Sequence, residues 1–407
     1  MKDLFDKKVI ELARVAEDNI KPLFEKIEEI EEHNQLKVLM AFKNNNVNDA
    51  HFVSTNGYGY NDLGRECIES IFAEVFNAED ALVRYNINNG THAISLCLWA
   101  ALRPGDTMIS ITGTPYDTLA ETIGITGFGN GSLKDFGVNY TELNYEKEDY
   151  INIIKSLKPK VVFIQKSKGY NYKNSLSTVD INNLQSAISR IVPDTIFVVD
   201  NCYGEFVELD EPSGDLLAGS LIKNLGGGIA QAGGYVVGRK NLVEQAAYKL
   251  NAVGLGKECG ASLGANRELL MGIFMAPHVV AQAHKTALFT SELFKLAGFD
   301  TNPETTLHTD LIQAIKLKSK QQLIDFCQGV QSFSPVNSAF LPVADDMPGY
   351  SDQVIMAAGT FVQGSSIELS ADSAIKEPYI AYCQGGLTYG SAKLGIMAAL
   401  NRMKVLQ

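Results

Sequence analysis

A run of four apolar residues, Ile196-Phe197-Val198-Val199, ends in Asp200-Asn201. The run predicts a buried strand with a carboxylate at its C-terminal end. An unpaired buried carboxylate is costly, so Asp200 must meet a cation or hydrogen-bond donors. A helix cap or a loop hydrogen bond would satisfy it as well as a ligand would. Further on, Lys223 sits in Ser220-Leu221-Ile222-Lys223-Asn224-Leu225, followed by Gly226-Gly227-Gly228 and Gly233-Gly234. Most lysines are exposed. Here the small residues on both sides predict that another molecule approaches the backbone. A desolvated lysine has a lowered pKa and can act as an amine nucleophile in Schiff-base chemistry.

An acid able to face a pyridinium nitrogen, followed by a lysine able to form an aldimine, is the pairing expected of pyridoxal phosphate. Such a group needs a phosphate holder and an aromatic face. Asn88-Asn89-Gly90-Thr91-His92 leads into a helix predicted over Ala93 to Leu102, whose free N–H groups and dipole would point at an anion. The same segment also reads as an ordinary capped helix, and His92 reads as structural. Ser220 offers a further hydroxyl. Tyr116 follows a predicted strand and could stack on the ring or simply fill the core.

The elements that would hold these residues alternate. Residues 1 to about 43 predict helix, with an apolar stripe of Ile20, Leu23, Phe24, Ile27 and Ile30, and Pro22 predicts a break into two helices. This arm could pack on a partner subunit or on its own chain. Helices are predicted over Arg65 to Phe76 and over Asp180 to Ile191, the latter capped by Asp180. Short strands are predicted at Met108 to Thr112, Val161 to Gln165, Ile196 to Asp200 and Tyr235 to Gly238. Alternation of this kind implies an α/β fold: a mostly parallel sheet between helices, with its site at the carboxyl ends of the strands. A helix is predicted at Ala276 to Leu296. Beyond it, a helix around Asp310 to Gly329, strand-like runs at Ser338 to Val343 and Thr360 to Ser370, and a helix at Ser391 to Val405 predict a small α+β domain. The expected division is a helical arm over 1–50, a large domain over 51–295 and a small one over 296–407.

Composition excludes more than it suggests. Acidic side chains number 47 against 35 basic ones, a net charge of −12, which argues against nucleic-acid or anionic-membrane binding. No secretory signal or membrane-length apolar stretch is expected. The six scattered cysteines, without a C-x-x-C pair, read as reduced thiols of a cytoplasmic protein, and no metal site is expected.

Taken in order, these segments resemble the fold-type I pyridoxal-phosphate enzymes of the Cys/Met-metabolism group. Val198-Val199-Asp200-Asn201-Cys202-Tyr203 is similar to that group's V-V-D-N-T-Y strand end. Ser220-Leu221-Ile222-Lys223 with Gly233-Gly234-Tyr235-Val236-Val237-Gly238 is similar to its lysine segment. Four further stretches resemble the aluminium-resistance, cystathionine β-lyase-like branch: residues 58–65, 163–170, 361–369 and 384–389.

The resemblance implies a three-layer αβα transferase fold with an N-terminal helical arm and a small C-terminal α+β domain. It implies Lys223 as the Schiff-base lysine and Asp200 as partner of the ring nitrogen. Tyr116 would lie on the ring, with Asn89, Gly90, Thr91 and Ser220 around the phosphate. Tyr58, with Tyr60 or Arg65, would reach the site of a partner subunit in a homodimer or dimer of dimers. A hydroxyl expected before the lysine is Ile222 here. The arginine that usually binds the substrate carboxylate has no counterpart, leaving Lys376, Lys393, Arg267 and Tyr60 as candidates at the substrate. The implied activity is β- or γ-elimination on a sulfur-containing amino acid. Racemase, aldolase or transaminase chemistry shares the apparatus, and a non-catalytic cofactor-binding metal-stress protein is the alternative of another class.

Overall fold

The chain is described by a computed structural model over residues 4–127, 129–347 and 352–406; residues 1–3 of the expected first helix lie outside it. The chain begins with α1 (Lys7–Asn44), α2 (Leu63–Val75), β1 (Asp80–Arg84), α3 (Gly90–Ala101), β2 (Thr107–Ser110), α4 (Asp117–Ile123) and β3 (Asn139–Glu142). It continues through α5 (Tyr150–Leu157), β4 (Val161–Gln165), α6 (Thr178–Ser189), β5 (Ile196–Asp200), β6 (Leu216–Ser220), β7 (Gly234–Gly238) and α7 (Lys240–Leu250). The remainder is α8 (Ala265–Leu296), β8 (Asp300–Asn302), β9 (Gln313–Lys316), α9 (Lys320–Ser332), β10 (Val354–Ala357), β11 (Ser370–Ala374), β12 (Ile380–Gln384) and α10 (Tyr389–Met403).

The first seven strands form one sheet in the order β1-β7-β6-β5-β4-β2-β3. Strands β3, β2, β4, β5 and β6 are parallel, and β7 and β1 close the far side antiparallel. Its central strands are apolar on both faces, as a sheet covered by two helix layers requires. Val162, Ile164, Phe197 and Val199 join a core with Ile71, Ile181 and Leu270. Val161, Phe163, Ile196 and Val198 join the opposite core with Ile94, Leu98 and Val243. The three-layer α/β architecture is the one expected.

The second sheet, β10-β11-β12-β9-β8, is antiparallel throughout. A third core joins its Ile315, Ile355, Ala371 and Ala381 to Phe326 of α9, Ile396 and Leu400 of α10, Phe289 and Phe294 of α8, and Val9, Ala13 and Ile20 of α1.

Several local expectations are corrected. Pro22 does not divide the arm; α1 runs through it. A proline costs one backbone hydrogen bond and about 3 kcal/mol in a helix interior, and burial of Ile20 and Ile27 on either side offsets that loss. The arm packs on its own chain along that stripe: Glu28 pairs with Lys285 at 2.7 Å, and Glu17 with Lys393 at 2.5 Å. The cap of α6 is Ser177, with Asp180 the reciprocal partner inside the first turn.

The helix expected from Asp310 starts only at α9, because Asp310 and the strand β9 precede it. Residues 338–343 form no strand, and Pro342 in their midst lacks a ladder donor. Residues 360–369 are also irregular. There the Glu368 carboxylate accepts from Phe361 N at 3.0 Å and Val362 N at 2.8 Å, replacing a strand partner.

The glycine runs also have a different purpose from the one expected. A Cβ on Gly226 would lie 1.6 Å from the Leu221 carbonyl oxygen, and one on Gly272 of α8 would lie 2.7 Å from the Gly226 oxygen. A Cβ on Gly385 would lie 2.3 Å from the Glu368 oxygen. These glycines let protein backbone approach protein backbone; Gly90 alone among those discussed faces a cavity.

Candidate active site

Three parallel strands deliver polar side chains to one sheet edge. Gln165 ends β4 opposite Asp200, which ends β5, and Asp200 is paired in turn with Ala218 of β6. Two residues after Ala218 the strand ends at Ser220, and the chain turns so that Lys223 precedes a short 3-10 turn over Asn224–Gly226. A cavity of about 300 Å³ opens at this edge. Asn89, Gly90, Thr91, Tyr116, Asp200, Ser220 and Lys223 all line it, so seven of the residues singled out in the sequence meet there.

The Gly90 end is a cradle formed at the first turn of α3. The Asn89 side chain caps α3 by accepting from His92 N at 2.8 Å. The first turn of a helix carries N–H groups without intrahelical partners, and its dipole favours negative charge. A Cβ at Gly90 would meet Cys202 Sγ at 3.0 Å and Ser220 Cβ at 3.6 Å, so the cradle admits no side chain there. Thr91 Oγ1 bonds Thr118 Oγ1 at 2.9 Å and accepts from the Tyr116 hydroxyl at 3.2 Å, which fixes the tyrosine ring at the cavity wall. His92 Nδ1 accepts from Asn88 N at 3.2 Å and so pins the loop before the helix.

Burial pushes the Asp200 carboxyl up, while Cys202 N, donating to its Oδ1 at 3.1 Å, and the Lys223 charge pull it back. Lys223 behaves contrary to expectation. Burial disfavours its ammonium, but the surrounding Tyr203, Cys202, Asp200 and Glu205 outweigh burial, and the net shift is upward. The Lys223 ammonium also lies over the Tyr203 ring, 4.3 Å from its centre. Glu205, buried behind it, is pushed up to about 8 by burial, and its Oε1 accepts from Tyr235 OH at 2.8 Å.

The opposite wall comes from residues to which the sequence assigned no role. Ser167, Gly169 and Tyr170 follow β4, and Ser365, Tyr382 and Gln384 come from the second sheet and its loop. The signal for them lay in the stretches 163–170, 361–369 and 384–389, conspicuous as blocks but without a chemical role assigned to any one residue.

Other candidates lie elsewhere. Tyr58 and Tyr60 are 70% and 54% exposed and stack on each other at 5.6 Å, outside the cavity walls. Arg65 is buried and donates to the Gly59 and Gly260 carbonyls at 2.6 Å each. Lys376 pairs with Asp352 at 3.3 Å, and Arg267 is exposed in the first turn of α8; neither lines the cavity. Lys393 is held by Glu17. Among the described residues no cluster of three or more His, Cys, Asp or Glu could hold a metal ion, and no helix is long and apolar enough to cross a membrane. All six cysteines are free and buried.

The methionine γ-lyase family matches residues 9–404. The Bacillus subtilis (strain 168) protein YnbB is 46% identical over 96% of this chain and 95% of its own length. The crystal structure of a carbon-sulfur lyase involved in aluminum resistance from Clostridium novyi NT superposes with a TM-score of 0.94 at 45% identity, covering 98% of this chain and 96% of that one. The pyridoxal-5'-phosphate dependent protein YhfS from Escherichia coli shares the fold, with a TM-score of 0.60 at 15% identity over 92% of this chain and 97% of that one.

Proposed function

The chain belongs to the methionine γ-lyase family, and on that footing we propose that it is a pyridoxal-phosphate-dependent carbon–sulfur lyase acting on a sulfur-containing amino acid by β- or γ-elimination. The observation that carries this reading is the convergence of Lys223, Asp200 and the α3 cradle on one cavity. The residues fit the group. First-turn N–H groups at Gly90 and Thr91, with Ser220, suit a phosphate; the buried Asp200 suits a cationic ring nitrogen, and Tyr116 suits a ring face. When bound, pyridoxal phosphate supplies an electron sink for the bonds of the substrate's α-carbon.

The protein's own contribution is positional and protonic. Asp200, whose charge is made costly by burial, would pair with a cationic ring nitrogen and so favour its protonated form. With the cofactor bound, Lys223 Nζ would be the nitrogen that carries the proton to and from the substrate α-carbon. Tyr203 holds that amine beneath its ring. The small cavity, walled by Tyr116, Tyr170 and Tyr382, limits water at the reacting atoms.

We further infer that the protein works as a homo-oligomer. Support comes from the exposed Tyr58 and Tyr60, carried on a segment tied to residues 260–263 by Gly260 N donating to Tyr58 O at 2.8 Å and Leu263 N to Thr55 O at 3.2 Å. That fixed apolar surface also presents Val53, Leu63 and Leu263.

The test is a visible spectrum of the purified protein, with keto-acid release measured from cystathionine, methionine and cysteine. Lys223→Ala should lose the visible band and the activity while its melting temperature stays within a few degrees. A band retained in Lys223→Ala, or a coloured wild-type protein inert toward all three amino acids, would overturn the assignment.

A further inference from the structure

Five polar side chains of the cavity wall, Ser167, Tyr170, Ser365, Tyr382 and Gln384, have donors committed to protein partners. Ser365 Oγ donates to Asp372 Oδ2 at 3.1 Å. Tyr382 OH donates to the Tyr170 carbonyl at 2.8 Å. Gln384 Nε2 donates one proton to Ser370 Oγ at 3.0 Å, and the same side chain hydrogen-bonds Asp372. Ser167 Oγ donates to Asp310 Oδ2 at 2.7 Å. The Tyr170 side chain also hydrogen-bonds Asp372. A hydroxyl has one proton and two lone pairs, so a hydroxyl whose proton is committed inward can only accept from the cavity side. All five side chains line the cavity.

Charge reinforces this polarity. Asp372 and Asp310 are fully buried directly behind the wall. Among the described residues Asp372 Oδ1 has no hydrogen-bond partner and Asp372 has no ion pair. Burial raises the Asp372 carboxyl to about 6, against the pull of Tyr170, Ser365, Gln384 and Lys223, so it is mostly ionised above neutral pH. Among the described residues no arginine lines the cavity, and Lys223 is its one lysine. A carboxylate arriving at this wall would meet lone pairs and a buried negative field. A hydrogen-bond donor would meet acceptors already oriented.

We propose that the Asp372-anchored wall is a specificity surface that receives a cationic or hydrogen-bond-donating group of the substrate and rejects an anionic one. This rests on the lyase reading above and narrows its substrate class to thioether amino acids whose end beyond sulfur carries an amine or another donor. Asp372 acts as a positioning residue: it fixes which way the hydroxyls of Ser365 and Tyr170 point.

The test uses three thioethers that differ only in the group ending a two-carbon arm beyond sulfur, on the full-length holoenzyme, with affinities measured by isothermal titration calorimetry. They are S-(2-aminoethyl)-L-cysteine, S-propyl-L-cysteine and S-(2-carboxyethyl)-L-cysteine. The aminoethyl compound should bind at least about tenfold more tightly than the carboxyethyl one, with the propyl compound between them. Asp372→Asn should bring that ratio toward one at an unchanged melting temperature. Should Asp372→Asn fail to fold, Ser365→Ala carries the test, with an expected fall in the ratio of about threefold.

Equal or reversed affinities, no binding by any of the three, or a ratio untouched by a folded variant would overturn the proposal. Cleavage is scored separately by keto-acid release. Charge-ordered binding without cleavage would sink the lyase assignment and leave the wall's polarity standing.

Discussion

The Lys223 ammonium lies 4.3 Å from the centre of the Tyr203 ring, and Tyr203 itself holds a left-handed backbone with φ 67° three residues after Asp200. The turn that follows β5 therefore carries both the acid and the ring that seats the amine. A desolvated cation over an aromatic face is stabilised by about 2 kcal/mol. Tyr203→Phe keeps that face and loses only the hydroxyl that hydrogen-bonds Lys223, so it should lower kcat by about threefold, whereas Tyr203→Leu should lower it by about tenfold or more. Steady-state kinetics on the two variants decides it, and equal rates would count against the ring's role.

Gly90 tests the anion cradle. Its Cβ would press on Cys202 Sγ at 3.0 Å, and overpacking of this kind costs about 1–3 kcal/mol. Gly90→Ala should weaken cofactor affinity about tenfold, read as the half-saturation of the visible band. Gly90→Ala with Cys202→Ala should recover part of that loss. No recovery would mean that the contact with sulfur is not the limiting one.

Acid should unfold this protein through a buried histidine pair. His284 Nε2 accepts from His308 N at 3.2 Å, and the two ring centres lie 5.8 Å apart. Burial, then the neighbouring His308, pushes His284 down to about 3; burial, then Lys168, does the same to His308. The unfolded rings titrate near ~6.5, so the unfolded chain takes up protons first. Their contribution is full above that value and is lost as pH falls toward 3, by up to about 1.4 kcal/mol per pH unit for each ring. Urea midpoints between pH 7 and 4.5 should fall less steeply in His308→Leu than in the natural protein.

Gly226 tests the contact between the Lys223 turn and α8. A side chain there collides with the Leu221 carbonyl, and Gly226→Ala should cost about 3 kcal/mol or more in chemical denaturation. Gly390, in the first turn of α10 with nothing near its absent Cβ, is the contrast. Gly390→Ala should be neutral or stabilising by up to about 1 kcal/mol.

What could be read beforehand follows from burial. Strands β4 and β5 are covered on both faces, so continuous apolar runs mark them, and they coincide with their predicted bounds. The cavity residues at their carboxyl ends were legible because strand ends concentrate sites. Strand β11, Ser370–Ala374, carries Ser, Asp and Ser inward and has no hydrophobic pattern. Its Asp372 is buried because three donors around it make that possible, an arrangement distributed over residues 170, 365 and 384 that no local pattern encodes. The helical arm was legible as a stripe, but not its continuity through Pro22, which depends on the surface it packs against.

Helix α8 places Leu270, Ile273 and Val280 in the core of the first sheet and Leu288, Phe289 and Leu293 in the core of the second. Neither half can loosen without fraying the beam on which the other rests. Heat should therefore melt both halves together, in one calorimetric peak. Motion around the cavity between them is left to the loops at its rim, while the girder beneath stays whole.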